Sequence, residues 1–557
     1  MSTSPGEIDN DLIARLAAEI FSADRGAAVP SPGPGLPTPV GIGNAYPSGA
    51  SEISPPVHSG VTPASAPEAS APAVPSGTGG ENFGEPQCFR DEPNAFPYDF
   101  RSGRSVSSPS GISPAPATPG KSAAPQSSAG EFYFLPGDLV PASSLPHSPA
   151  AFDVEGVRRD FPALHQRVNG KPLIWLDNAA TTHKPQVVLD AISRYYANDN
   201  SNIHRAAHTL AARSTDLYEG AREKVRRFLG AADAKEIVFV RGTTEAINLV
   251  AQTYGRQNIG AGDEIVVTTM EHHANIVPWQ LLSQQTGAVL RVAPINDRGE
   301  LLLDQFAALL GPRTKLVSIT QVANALGTVN PVEQVIAIAH AYGVPVLVDG
   351  AQSTPHMPVN VQAMGADFFV FSGHKIFGPT GIGVLYGKAA LLEQMPPWQG
   401  GGNMIADVTF TKTVYQGIPN KFEAGTGNIA DVVGLGAAID YLQGLGMPAI
   451  AAYEHDLLVY ATEGLATVPG LRPIGTAANK ASVLSFVFEN GRGVSTEEVG
   501  KYLDQHGIAV RSGHHCAQPA LRRFGVEQTV RPSLAFYNTR TEVDTLVRAL
   551  HSFRRKG

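Results

Sequence analysis

Cysteine is scarce in this chain: Cys88 and Cys516 are the only two in 557 residues. Two thiols so far apart build no disulfide framework, and alone they cannot assemble a Cys-rich zinc or iron–sulfur site. The pattern predicts a reducing compartment. An excess of one charge is also missing. Lys and Arg number 42 against 50 Asp and Glu, for a net charge of -8, and no basic run stands out. That argues against a nucleic-acid partner. No apolar run is long enough to read as membrane-spanning, so no membrane association is expected. The stretch Gly6–Asp11 is acidic where a secretory signal would be basic, and no small-residue cleavage site follows an apolar run. The expected location is therefore the cytoplasm. No internal repeat is visible, and no metal site is predicted.

What is present divides into two compositions. The length implies two or three domains. The first 150 residues carry 25 of the 44 prolines, with Ala, Ser and Gly filling most of the rest. Such a segment has too few large apolar groups to offset the entropy lost on ordering, and is predicted to be disordered with polyproline stretches. Three apolar islands interrupt it. Residues 7–23 place Ile8, Leu12, Ile13, Leu16, Ile20 and Phe21 on one helical face. Residues 83–100 hold Phe83, Phe89, Phe96, Tyr98 and Phe100, and residues 131–140 hold Phe132, Tyr133 and Phe134. Docking on a partner is the favoured reading, since three islands on one tail allow multivalent attachment. Folding back onto the globular part is the alternative. Cys88 falls in this tail and reads as incidental.

From about Phe152 the chain alternates β-rich and helical patterns. Strands are predicted at Glu236–Val240, Glu264–Thr268, Lys315–Thr320, Pro345–Asp349 and Phe368–Ser372, with helices at Thr244–Tyr254 and Val332–Tyr342. Regular alternation predicts a mostly parallel sheet covered on both faces, with a site beyond the carboxyl ends of its strands. The residues just past each run therefore carry the interest. Arg241-Gly242-Thr243-Thr244-Glu245 reads as an anion cradle at a helix start, or simply as a threonine helix cap. Asp349 at a strand end would bind a metal, cap a helix or pair with a buried cation. Lys375, two residues after Gly373 at the end of a buried run, is unusual because an unpaired buried ammonium is costly. A lysine that forms a Schiff base resolves that cost chemically. Ser372 and His374 stand beside it. His272 and His273 cannot share one direction on a helix, so one is read as stacking on a flat ring rather than as half of a metal site. Arg511-Ser512-Gly513-His514-His515-Cys516 surrounds a thiol with cationic residue types, which is how a thiol becomes a nucleophile.

Together these stretches resemble the pyridoxal-phosphate-dependent cysteine desulfurases of fold type I, the SufS-like group. Leu176–Thr182, Arg241–Glu245, Glu271–Trp279, Asp349–Gln352, Ser372–Lys375 and Arg511–Cys516 occur in the family's order over roughly 400 residues. The resemblance implies an α/β fold: a mostly parallel seven-stranded sheet with helices on both faces in a large cofactor domain, residues 151–438, and a smaller α/β domain, residues 439–557. Residues 151–171 would pack on the smaller domain. It implies that Lys375 holds the cofactor and shuttles protons, and that Asp349 faces the ring nitrogen. Gln352 would bond the ring hydroxyl, and His272 would stack on the ring. Thr243, Thr244, Ser372 and His374 would take the phosphate, joined by Thr426 from the partner of a homodimer. Arg531, Asn324 and Arg511 would hold the carboxylate of L-cysteine, and Cys516 would accept its sulfur as a persulfide and pass it to an acceptor protein or small thiol. Two departures, Pro532 after Arg531 and Ala206 after Arg205, bear on substrate positioning. The tail resembles that of desulfurases carried inside encapsulin shells, which implies a nanocompartment within the cytoplasm. A selenocysteine lyase, another fold type I enzyme such as an aminotransferase or a kynureninase-like hydrolase, or an inactive binding protein of the same fold are the alternatives.

Overall fold

The computed structural model describes residues 152–203, 207–489 and 494–553, which fall in one compact unit. The tail with its three islands, Cys88, and the His204–Ala206 departure lie outside the described residues.

Seven strands build the central sheet: β1 Ile237–Val240, β2 Glu264–Thr268, β3 Val289–Ala293, β4 Thr314–Thr320, β5 Val346–Asp349, β6 Phe368–Ser372 and β7 Gly383–Gly387. Their spatial order is β1-β7-β6-β5-β4-β2-β3. Only β7 runs antiparallel to its neighbours. Side chains alternate between two cores, as a sheet covered on both faces requires. Phe369 and Phe371 of β6 join Val266, Val317 and Val348 on one face. Phe368 and Val370 join Ile265, Val267 and Leu347 on the other.

The five strands expected from sequence are present within a residue of their predicted starts. Two others, β3 and β7, were not. β3 is the edge strand, with Val289 and Val292 exposed, so its pattern lacks a buried run. β7 is short and bounded by Gly383 and Gly387, which read as loop signals. Gly383 is required there: a methyl group on it would lie 2.5 Å from the Gly242 backbone.

A second sheet, antiparallel and four-stranded, comprises β8 Leu471–Pro473, β9 Phe486–Phe488, β10 Arg511–Gly513 and β11 Thr529–Arg531, in the order β8-β9-β11-β10. It shares a core with Ile174 and Leu176, which arrive from the other end of the described chain. Ile174 and Trp175 pair in parallel with Ile508 and Ala509. Near the start of the described chain Phe152 stacks on Tyr453 at 4.8 Å, and Arg158 pairs with Glu542 at 2.9 Å. The helix Ile429–Leu445 runs unbroken across position 438, where a domain boundary was expected from sequence.

One buried ion pair fastens the sheet's β1 edge. Arg222, on the helix Thr209–Leu229, meets Glu423 at 2.7 Å, with both side chains shut from solvent. Glu423 also accepts from the Tyr218 hydroxyl (2.9 Å) and the Phe239 amide (2.8 Å), and Arg222 donates to the Ile237 carbonyl (2.7 Å). Burial works against the guanidinium charge, and the Glu423 carboxylate outweighs it. Removing one partner strands the other, a far larger loss than the pair's net worth. Arg222→Leu is expected to lower the unfolding free energy by about 3–5 kcal/mol, read from urea denaturation.

Candidate active site

β4, β5 and β6 end side by side, and the residues past them line one cavity. Asp349 closes β5, with Gln352 in the turn beyond. Ser372 closes β6, and His374 and Lys375 follow in a single tight turn. Thr243 and Thr244 enter from the helix start after β1, and His272 from the turn after β2. The second sheet and its loop add Arg511, His515, Cys516 and Arg531, and Asn324 completes the wall. Every residue expected from sequence to serve the site is thus brought together except Thr426. Within this chain Thr426 lines a different cavity, with Trp398 and Phe422.

The Lys375 turn is strapped from behind. The His374 carbonyl accepts from the Thr182 amide (3.1 Å), the hydroxyls of Thr181 (3.1 Å) and Thr182 (3.2 Å), and the Lys184 amine (3.1 Å). Thr182 also accepts from the amide of Phe377, a residue held at φ 65°. The same stretch reaches the second sheet, where Asn178 donates to the Ser533 carbonyl (2.7 Å). Burial pushes the Lys375 amine below the usual lysine range, against the opposing pull of Asp349.

Asp349 is buried, and burial raises its carboxyl above the usual range while Lys375 pulls it down. Gly350 must be glycine, because a methyl there would sit 2.0 Å from the Phe369 ring. The Gln352 amide donates to the Ala179 carbonyl at 2.6 Å. Thr243 and Ser372 meet through their hydroxyls at 2.9 Å, and the Thr243 amide at the helix start donates to the Ser372 hydroxyl (2.9 Å). His272 is driven down to about 3 by burial and by the Lys375 charge, so its ring is neutral. Its Nδ1 accepts from the Ala274 amide (3.0 Å), which leaves the other ring nitrogen and a ring face for the cavity. His273 turns away and stacks on His514 at 5.9 Å.

Glu271 was missed by the sequence reading. It has no exposed surface, and accepts from the Thr268 hydroxyl (2.6 Å), the Asn275 amide (2.7 Å) and the Thr320 backbone (2.9 Å). Burial pushes its carboxyl up to about 8. The available signal was a carboxylate just past the apolar run Ile265–Val267, overshadowed by the two histidines after it.

Of the arginine and two histidines expected beside Cys516, Arg511 lines the cavity and the histidines are placed differently from one another. The His515 ring is buried against Thr529 and held down to about 2, hence neutral. His514 is exposed, and its Nδ1 accepts from the Cys516 backbone amide (3.1 Å) rather than from the thiol. The cationic groups in the wall are arginines. Arg531 is 2% exposed and keeps its charge although burial lowers it to about 10. It donates to the Asn324 carbonyl (3.1 Å) and to Asp177 (3.3 Å), which also pairs with Arg511 at 3.8 Å. The Nε of Arg531 and the side-chain oxygen of Asn324 are buried without partners. Pro532 does not disturb this: its carbonyl accepts from Leu484 (2.9 Å), and Arg531 still faces the cavity.

Comparison with known proteins places this geometry. The profile described as Aminotransferase class-V matches residues 174–546. The chain belongs to that family. It is 65% identical over 413 residues to the cysteine desulfurase of Synechococcus elongatus, a match covering 74% of this chain and 66% of that protein. It is 52% identical to the cysteine desulfurase of Dickeya dadantii, covering 72% of this chain and 97% of that one. The match thus spans just under two thirds of the Synechococcus relative and nearly all of the Dickeya one. Among solved structures, the cysteine desulfurase CsdA of Escherichia coli superposes with a TM-score of 0.66 at 43% identity, over 72% of this chain and 98% of that one. The lining suits the pyridoxal phosphate of this family. A buried carboxylate suits a cation, the hydroxyls of Thr243 and Ser372 at a helix start suit a phosphate, and burial biases a lysine amine toward its uncharged, nucleophilic form.

Glu271 also yields a pH dependence. Its proton is held to about 8 in the folded state against an ordinary 4.5. A raised carboxyl stabilises the fold fully below pH 4.5, and that contribution is lost as pH rises to 8. Glu271→Gln keeps the hydrogen bonds without the titration. Its unfolding midpoint is expected to pull ahead of the parent's progressively between pH 5 and 8, and thermal denaturation across that range checks this.

Proposed function

We propose that this protein is a cysteine desulfurase that converts L-cysteine to L-alanine and collects the sulfur on Cys516. One observation carries the reading: a lysine, a buried carboxylate, a buried arginine and a free thiol share one cavity, though they come from two different sheets. The desulfurase relatives at 52% and 65% identity support it.

When bound, pyridoxal phosphate would supply an electron sink conjugated with the substrate's α-carbon through its amino nitrogen. The chain's own groups divide the remaining work. Asp349, a buried carboxylate that favours a cation, would face the ring nitrogen and keep it protonated. Gln352 would bond the ring hydroxyl, and neutral His272 would lie against the ring without adding a competing charge. Thr243, Thr244, Ser372 and His374 would hold the phosphate, with Thr426 contributed across a homodimer interface. Lys375 would hold the cofactor, and its amine would carry the substrate's α-proton. Arg531 receives the substrate carboxylate with its buried fork, and Asn324 and Arg511 assist. The Cys516 thiolate attacks the substrate sulfur: an S–S bond forms, the C–S bond breaks, and a proton ends on the released alanine carbon. An acceptor protein or a small thiol then discharges the persulfide. The same groups would serve selenocysteine, since selenium occupies the place of sulfur.

The reading places the enzyme in the cytoplasm, and the composition of residues 1–150 supports carriage inside an encapsulin shell. Among the described residues no helix is long and apolar enough to cross a membrane, and no cluster of three His, Cys, Asp or Glu could hold a metal.

Cys516→Ser is expected to abolish alanine formation while the visible absorbance of the bound cofactor persists. Unchanged alanine release would remove Cys516 from the reaction. Arg531→Lys loses the two-pronged grip and is expected to raise KM for L-cysteine by about tenfold or more, with a smaller change in kcat. Deleting residues 1–150 is expected to leave the specific activity intact and to end co-purification with a shell. A truncated enzyme that still loads would exclude that role for the tail.

A further inference from the structure

His515 and Cys516 are consecutive non-glycine residues in the left-handed region, at φ 52° and 55°. L-residues visit that region reluctantly, and two in a row persist only where their surroundings over-determine them. The hydrogen bonds around this peptide show how. The His515 carbonyl accepts from the Asn324 side-chain amide at 2.7 Å, and the Cys516 carbonyl accepts from the His273 backbone at 2.8 Å. Those two contacts grip carbonyls only. The His515 ring reaches out of the loop to the neighbouring strand, with Nε2 2.8 Å from the Thr529 hydroxyl and 3.1 Å from the Thr529 carbonyl, while the His514 Nδ1 accepts from the Cys516 amide (3.1 Å) inside the loop and its ring stacks on His273.

The location of Thr529 matters. β10 ends at Gly513, three residues before Cys516, and pairs in antiparallel register with β11, Gly513 opposite Thr529 and Arg511 opposite Arg531. The loop leaves β10 and folds its His515 ring back onto the neighbouring strand. A carbonyl only accepts, so Nε2 carries the ring proton, and Nδ1 stays buried without a partner. Thr529 itself has no exposed surface. Neither residue is needed to touch substrate. Two positions along β11 stands Arg531, so one strand carries both the carboxylate clamp and the anchor of the thiol loop.

We propose that Thr529 is a positioning residue whose hydroxyl, through the His515 ring, holds the Cys516 backbone in its left-handed conformation and so sets the thiol in the cavity. This rests on the reading of Cys516 as the sulfur acceptor. Without the anchor the strained pair relaxes and the thiol swings toward solvent.

The test uses full-length holoenzyme carrying Cys88→Ser, so that Cys516 is the only thiol. Two quantities are measured: the rate of iodoacetamide alkylation of Cys516 by intact mass, and kcat and KM for alanine release. Thr529→Val is expected to alkylate about fivefold faster and to lose about fivefold or more in kcat, the effect of one hydrogen bond, with KM within about twofold. Thr529→Ser, which keeps the hydroxyl, is expected to restore both. Parental values in Thr529→Val overturn the proposal, and so does a defect that Thr529→Ser fails to restore. If Thr529→Val does not fold, His515→Phe takes its place with the same expected and overturning results. Cys516→Ser in the same background separates the two claims. Should it still release alanine, the assignment of Cys516 fails, while the alkylation rates still decide whether Thr529 holds the loop.

Discussion

The structure depends on keeping a buried amine and a buried carboxylate on neighbouring strands without letting them close into an ion pair. Lys375 and Asp349 sense each other's charge, yet no direct bridge joins them. Burial disfavours the charge on each, and each favours the charge on the other. That unsettled balance is what a cationic ring bonded to an amine resolves. The Phe369 ring pins the Asp349 turn, and the Thr181–Lys184 strap pins the Lys375 turn.

The strap also joins the two sheets. The Asn178–Lys184 stretch bonds the Lys375 turn on one side and Ser533, just past β11, on the other, so the Lys375 end and the Arg531 end of the cavity share a single stretch of chain. Asp177, just before that stretch, stands between Arg511 and Arg531. Its carboxylate keeps the two guanidiniums from facing each other uncompensated, and under the proposed function a substrate carboxylate would compete with it.

Neutrality is as much a design feature of the cavity as charge. His272, His374 and His515 are all pushed well below their ordinary range, chiefly by burial. The positive charge near the thiol therefore comes from arginines, which burial cannot discharge at cellular pH. From residue type alone the Arg-Ser-Gly-His-His-Cys run reads as cationic company for the thiol; Arg511 is in the wall as expected, whereas buried His515 is neutral, because a histidine's charge depends on its solvation, which is not written in the local sequence. Glu271 was passed over for the same reason: only the packing around β2 and β4 shows that it is wholly enclosed.

The sequence by itself determined the alternation of apolar strands and helices, and with it the parallel sheet and the strand ends where the chemistry gathers. These follow from periodicity, a local property, so five of the seven central strands were legible. β3 and β7 were not, because an exposed edge and a glycine-bounded strand lack the periodic signal. Which strand ends become neighbours was decided only by tertiary structure. Lys375 and Cys516 follow strands of two different sheets and are far apart in sequence, and hydrogen bonds of the Leu176–Lys184 stretch and the β10–β11 pairing bring them to one cavity. Those long-range contacts also decide which groups lose their water, and therefore which residues in the site are charged.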